Sequence, residues 1–370
     1  MANPKGGITL LDETGVIPGA IKDVAGKVAS KVIKGDFSDI LKVTTPATVH
    51  VERTYVEQAA ADQIWCTTLL TKAAECQDPI ERLKYVSAYY LAGNHVSPAF
   101  TQCRAPLNPI LGETVQRVLP DGSKFYGEQT SHHPPITNFL LEGPNNLYRF
   151  SGFFEYKAWL AGLNTMGGSR IGKQIFSFSD GGLLSIKDPT MEISNMISGE
   201  RFLNFVGTLS IVDHINKLEL IGTYGVPKQA SGGMFKGLKS KLWGSKKEHL
   251  SDHVEIQIFQ KALNGGSKEK VVVAEGSGSW LEYIQYDNKV YWTIDDEKPT
   301  WLMVNDKENV PQHLRDYMLP SDSQLRPDMG PLKAKDFAEA EKHKHELEEQ
   351  QRRDKKLRHA REAERKQGSK

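Results

Sequence analysis

Between residues 17 and 34 the apolar positions recur every three or four residues. Ile17, Ile21, Val24, Val28 and Val32 form one stripe, while Lys22, Lys27, Lys31 and Lys34 lie mostly off it, and Gly35-Asp36 stops the pattern. This spacing predicts an amphipathic helix. Such a helix either packs on the surface of the domain or moves as a lid that touches a membrane. Residues 56–94 keep a helical character: Ile64, Leu69, Leu70, Ala73 and Ala74 precede a break near Asp78-Pro79. A second helix is then predicted from about Ile80 to Leu91, with Leu83, Val86, Tyr89, Tyr90 and Leu91 directed into a core.

From about residue 125 to residue 301 the pattern shortens. Runs rich in aromatic and β-branched residues occur at 147–150, 217–221, 254–258, 270–274 and 290–293, separated by turn clusters at 143–146, 179–182 and 287–288. Many short strands at this spacing predict an antiparallel sandwich or barrel. No repeat of solenoid or propeller length is visible. After a polar connector at 325–328, a long charged helix is predicted from about Lys335, with only Phe337, Leu347 and Leu357 as apolar positions. Its first half has enough apolar surface to lie against the barrel; its second half does not.

Composition adds little to this picture, but charge distribution does. The chain of 370 residues has a net charge of +1, yet residues 352–370 are rich in Lys and Arg, and a second basic cluster spans 236–247. Cys66, Cys76 and Cys103 are the only cysteines and form no C-x-x-C pair, which argues against a disulfide framework and for a reduced cytosolic setting. The first fifteen residues lack a signal-peptide profile, and no apolar run is long enough to span a bilayer. Any membrane role is therefore expected to be peripheral.

Three runs stand out chemically. In Glu128-Gln129-Thr130-Ser131-His132-His133-Pro134-Pro135, adjacent histidines on an extended backbone point to opposite faces, which opposes a shared metal. They suit either a rigid turn or hydrogen bonding to a phosphate. In Pro106-Leu107-Asn108-Pro109-Ile110-Leu111-Gly112-Glu113, two prolines and a glycine shape a tight loop, where Asn108 either caps the loop or meets a head group. Lys344, Glu348 and Arg352 recur every four residues and share a helix face, as solvated salt bridges or as a ladder facing an anion. A hydrolase built on His132 or His133 with Glu128 lacks a Gly-x-Ser-x-Gly elbow, so no catalytic residue and no enzymatic activity is expected.

Together these runs resemble the lipid-binding domain of the oxysterol-binding protein family. Glu128, Gln129, Ser131, His132, His133, Pro134 and Pro135 match the family fingerprint, with Thr130 where Val is common. The 108–113 loop, the 319–328 stretch and the 347–352 stretch match further family motifs, and the resemblance covers roughly residues 36–358. It implies an all-β-dominated fold with helical terminal segments: a large incomplete antiparallel β-barrel enclosing a lipid tunnel, closed by an N-terminal lid. The implied organisation is a lid at 1–35, a lipid-binding domain at 36–358 and a disordered basic tail at 359–370. Within that domain the resemblance implies helices at 56–94, a barrel at about 105–301 and a C-terminal segment at 302–358.

The implied function is lipid transfer. A sterol, or another lipid such as phosphatidylserine, would be exchanged for phosphatidylinositol 4-phosphate between cytosolic membrane faces, by a monomer needing no cofactor, metal or nucleic acid. Contact regions of the endoplasmic reticulum, Golgi and plasma membrane are the expected setting. A lipid sensor or scaffold using the same pocket is the alternative. Carried over by position, Asn108, His132, His133, Lys344, Glu348 and Arg352 would hold the phosphoinositide head group. The family's Lys before Pro-Leu-Asn-Pro is Ala105 here, with Arg104 one residue earlier; because a one-residue shift in extended backbone reverses side-chain direction, Arg104 would join the head-group set only if the local backbone differs. In the basic cluster, Phe235, Lys236, Lys239, Lys241 and Trp243 form either an anchor on anionic membranes or a loop whose aromatics fold back.

Overall fold

The computed structural model describes residues 6–11, 19, 45–132, 134–162, 164–196, 199–225, 252–261, 270–295 and 318–368. The helix expected at 17–34, His133 and the 229–248 loop therefore lie outside the described residues.

Near the N-terminus a two-residue strand, β1 (Ile8–Thr9), is followed by β2 (His50–Thr54). Thr54 then starts α1 (Tyr55–Ile64) through a capping box: its hydroxyl accepts from the Glu57 amide, and the Glu57 carboxylate accepts from the Thr54 amide. The helical stretch expected to run unbroken to Asp78 is interrupted at Trp65-Cys66 and resumes as α2 (Thr67–Glu75). Trp65 is 1% exposed; its ring stacks on Tyr89 and meets Trp292 edge-on. Next to it, Cys66 is non-helical at φ −151, ψ 73. Asp78 and Pro79 open α3 (Pro79–Ala92), Asp78 accepting from the Ile80 amide. A short α4 (Val96–Thr101) leads to β3 (Ala105–Leu107), which pairs in parallel with β2.

The rest is one antiparallel sheet that meanders in chain order. It begins with β4 (Thr114–Val118), β5 (Lys124–His132), β6 (Pro135–Glu142) and the 15-residue β7 (Tyr148–Gly162). The far edge of β7 is covered by two shorter strands: β8 (Thr165–Ile171) pairs with its second half and β9 (Gln174–Phe178) with its first. This splitting repeats in β10 (Leu183–Lys187) with β11 (Thr190–Ser194), and in β12 (Phe202–Val206) with β13 (Thr208–Asp213). The order then runs through β14 (Leu218–Tyr224), β15 (His253–Lys261), β16 (Lys270–Ser279), β17 (Tyr283–Tyr286) and β18 (Lys289–Thr293). β1 adds to the edge of β12, giving sixteen strands. Among the described residues no ladder joins β4 to β18, so the barrel is incomplete, as expected.

Alternation sets which face is buried. Phe125, Phe139, Leu141, Phe150 and Phe176 share one face, with the Phe150 and Phe176 rings 3.8 Å apart, and belong to the same buried core as Tyr89, Tyr90 and Leu91 of α3. α1 packs on β4, β5 and β6; α3 packs on β14, β17 and β18. The C-terminal region contributes α5 (Met329–Lys333) and α6 (Phe337–Gly368). Ala340 and Lys344 are buried, whereas residues 352–366 are exposed. The disordered tail expected at 359–370 is instead helix to Gly368. No proline or glycine interrupts residues 337–367, so the backbone has no reason to stop earlier.

Candidate functional site

The two motif segments are fastened to one another by backbone and buried ions. Gly112, at φ +81, donates its amide to the Gln129 carbonyl at 2.8 Å, and the Gln129 amide donates to the Glu113 carbonyl at 2.9 Å. Gln129, 1% exposed, donates through Nε2 to the Ser131 carbonyl and accepts from the Thr137 hydroxyl, both at 2.7 Å. These bonds hold the β5–β6 hairpin where its register slips, just before His132 pairs with Pro135. Glu113, also 1% exposed, accepts from the Ile110 amide at 3.1 Å and from Arg326 at 2.8 Å. Arg326 further binds Asp328 at 2.6 Å and donates to the Asn108 carbonyl at 2.9 Å. Burial raises the Glu113 pKa against the pull of Arg326. The Glu of the loop motif is thus a brace; so is the Arg of the 319–328 stretch. Asn108 itself is exposed at the loop tip.

α6 meets this platform from the other side. Glu341 accepts from the Ala47 amide at 2.5 Å, and Lys344, 6% exposed, pairs with Glu341 at 3.4 Å and Glu348 at 3.3 Å. The Lys344 charge acts on His50, a residue that no sequence motif singled out. The His50 ring lies 3.2 Å from the Ala105 and Pro106 carbonyls and 2.8 Å from the Thr45 hydroxyl. Burial first, and the Lys344 charge second, lower its pKa to about 4. Glu348 continues the ladder to Arg352 at 3.5 Å, and Arg352 also binds Glu349. The expected ladder therefore exists, with a buried Lys344 at one end and an exposed Arg352 at the other.

Arg104 is turned toward β2. Its guanidinium lies 3.3 Å from Glu52 and 3.4 Å from the His50 carbonyl, on the β2 side. It flanks the same histidine as Lys344, but a carboxylate holds it. From the hairpin that carries His132, hydrogen bonds run through Gln129 to the 108–113 loop and on to Arg326.

A second polar cluster lies between α1 and the sheet. Arg170 of β8 binds Asp62 of α1 at 3.1 Å and Asp188 at 3.5 Å, and sits 4.9 Å over the Phe154 ring. Gln58 donates to Asp62 and Gln174 to Asp188, each at 2.7 Å, and Tyr90 donates to Gln174. Burial raises the pKa of Asp62 and Asp188, although Arg170 opposes it. Yet the Arg170 and Asp62 side chains remain 26% and 14% accessible. These groups thus combine desolvation with accessible side-chain surface. Tyr55 and Tyr156, with rings 5.3 Å apart and partly accessible, are in the same condition: burial raises both phenol pKa values. Nothing in the sequence signalled this cluster, because its members come from separate elements. On the opposite sheet face, Tyr126, Leu140, Phe153, Ile175 and Leu319 line an open groove of about 580 Å³.

Among the described residues no group of His, Cys, Asp and Glu has the geometry of a metal site, and no helix is long and apolar enough to cross a membrane. The family model described as oxysterol-binding protein matches residues 31–368. The chain belongs to that family. Oxysterol-binding protein 9 of Dictyostelium discoideum is 30% identical over 358 residues, covering 94% of this chain and 77% of that protein. Among solved structures, the Osh3 ORD in complex with PI(4)P from Saccharomyces cerevisiae aligns at TM-score 0.69 and 20% identity, over 96% of this chain and 87% of that one. The Osh1 ORD domain in complex with ergosterol aligns at TM-score 0.68 and 21% identity, over 86% and 77%. The resemblance seen in the motifs and the large antiparallel barrel expected from it are therefore borne out, while the lid expected at 1–35 lies largely outside the described residues.

Proposed function

We propose that this family member is a lipid carrier that takes a sterol, or another single lipid, into a space bordered by Tyr55, Tyr156 and Arg170, and exchanges it for PI(4)P between cytosolic membrane faces. Asn108, His132, His133, Lys344, Glu348 and Arg352 receive the head group, and no bond is made or broken in the cargo. The observation that carries the reading is the convergence of motifs far apart in sequence. The 108–113 loop, the β5–β6 hairpin and α6 are fastened into one platform by Gly112–Gln129, Arg326–Glu113 and Glu341–Ala47. Lys344 is a buried cation on α6, paired there with Glu341 and Glu348. That relatives of this fold were solved with PI(4)P and with ergosterol agrees with two ligand types. Enclosing the cargo removes a cost of about 0.8 kcal/mol for each CH₂ otherwise exposed to water in transit.

The test is a competition assay with purified protein, dehydroergosterol and PI(4)P. Hydrogen bonds to a charged phosphate contribute about 1.5–3 kcal/mol each, so His132→Ala with Lys344→Met is expected to weaken PI(4)P binding at least about a hundredfold. Sterol binding should stay within about threefold, because a neutral cargo does not use those groups. Parallel loss of both ligands in a variant that melts like the parent would refute separate head-group recognition.

A further inference from the structure

The positive charge of this chain is not evenly placed. Residues 352–370 hold nine Lys and Arg against three Asp and Glu, whereas the remaining residues hold 38 against 43. The body is thus net negative and the C-terminal nineteen residues strongly positive, an asymmetry hidden by the overall +1. The structure shows where most of them lie: residues 352–366 extend α6 as an exposed helix. Charged helices of this kind usually neutralise themselves through pairs three or four residues apart. Here Arg353, Lys355, Lys356, Arg358 and Arg361 make no ion pair among the described residues, although Asp354, Glu362 and Glu364 are near in sequence. Leu357, 65% exposed, is the one large apolar side chain among them. The segment has no packed face to stabilise it, and these five charges have no partner among the described residues.

We propose that residues 353–366 of α6 are a docking surface for an anionic bilayer. The inference rests on the carrier reading above, since α6 is also the helix that places Lys344 in the head-group platform. A lipid surface is favoured over a polyanion in solution for that reason: engagement of the helix brings the platform to a membrane. The attraction is electrostatic, since Leu357 alone offers little apolar area to insert. A net-negative body would otherwise be repelled by an anionic leaflet, so the helix also sets which end of the molecule approaches. Each basic residue near such a surface contributes on the order of 1 kcal/mol, screened over a Debye length of about 8 Å at physiological salt.

The experiment compares the full chain with a variant carrying Gln at Arg353, Lys355, Lys356, Arg358 and Arg361. Co-sedimentation is measured with vesicles of phosphatidylcholine alone and with phosphatidylserine added, at low and high salt, and sterol uptake is measured from the neutral vesicles. The expected result is a loss of at least about tenfold in binding to the anionic vesicles at low salt, shrinking at high salt. Binding to neutral vesicles and sterol uptake should not change. Equal binding of parent and variant to anionic vesicles overturns the proposal, and so does a parent that binds duplex DNA more tightly than anionic vesicles. Charge-dependent docking without any lipid uptake by the parent would sink the carrier reading and leave the docking surface standing.

Discussion

His50 is held neutral by two effects that act in the same direction: burial, and the Lys344 ammonium beside it. Glu341 opposes both, and the Ala105 and Pro106 carbonyls favour the charged ring, but they do not win. The folded-state pKa is about 4 against an ordinary 6.5, so between those values the unfolded chain binds the extra proton and the fold does not. Stability from this residue is full above pH 6.5 and is lost as pH falls toward 4, by about 3 kcal/mol at most. Urea unfolding at pH 7, 6 and 5 should show this slope, and His50→Gln should flatten it; an equal slope in both proteins would place the titration elsewhere. The motif residues repeat the lesson of His50. Glu113 was recognisable as part of a loop motif, but its role depends on Arg326, 213 positions away. The same holds for Arg104, whose side-chain direction is decided by Glu52 rather than by its neighbour at 105.

Elements whose signals are local were the most legible. The Asp287-Asn288 pair was read as a turn, and it joins β17 and β18 with φ values of 45 and 67. Both central residues are left-handed, as a two-residue hairpin with right-handed strand twist requires. Asn288→Gly should leave stability unchanged or slightly higher, while Asn288→Ala should lower it by about 1 kcal/mol. Thermal melts of the two variants compare them directly, and an unaffected Ala variant would show that the turn tolerates other φ values. Less legible were the limits of the helices. A break at Trp65-Cys66 follows from where the Trp65 ring must go, against Tyr89 and Trp292, which no local pattern encodes. The large apolar positions of α6 end at Leu357, yet the helix continues to Gly368, because no proline or glycine interrupts its backbone before that.

Across the whole molecule, a short N-terminal piece closes an edge that the barrel strands leave open. Gly7 adopts φ +80, and a Cβ there would lie 2.3 Å from the Leu203 carbonyl. The chain then pairs through Ile8 and Thr9 with β12, and the Leu10 amide donates to the Arg201 carbonyl at 2.9 Å. Ile8 and Leu10 are each 5% exposed. Removing residues 1–11 should cost about 2–4 kcal/mol, the burial of two aliphatic side chains less their ordering entropy. Hydrogen exchange at Phe202 and Leu203 should speed up in the truncated protein. Unchanged exchange there would mean that the pairing contributes nothing to the edge.

The amino-acid sequence by itself determined the short strands, the helices on either side of Asp78-Pro79, the turns built on Asn, Asp and Gly, and the family, since each of these is written in contiguous residues. It also carried the charge asymmetry that separates the body from the C-terminal helix. Only the tertiary structure decided the pairing of Arg170 with Asp62 and Asp188, the neutral state of His50, and the bracing of Glu113 by Arg326. The physical reason is that a buried charge is set by whatever the fold brings within a few ångströms of it. Those partners come from elements that are distant along the chain, so no local spacing of residues reports them.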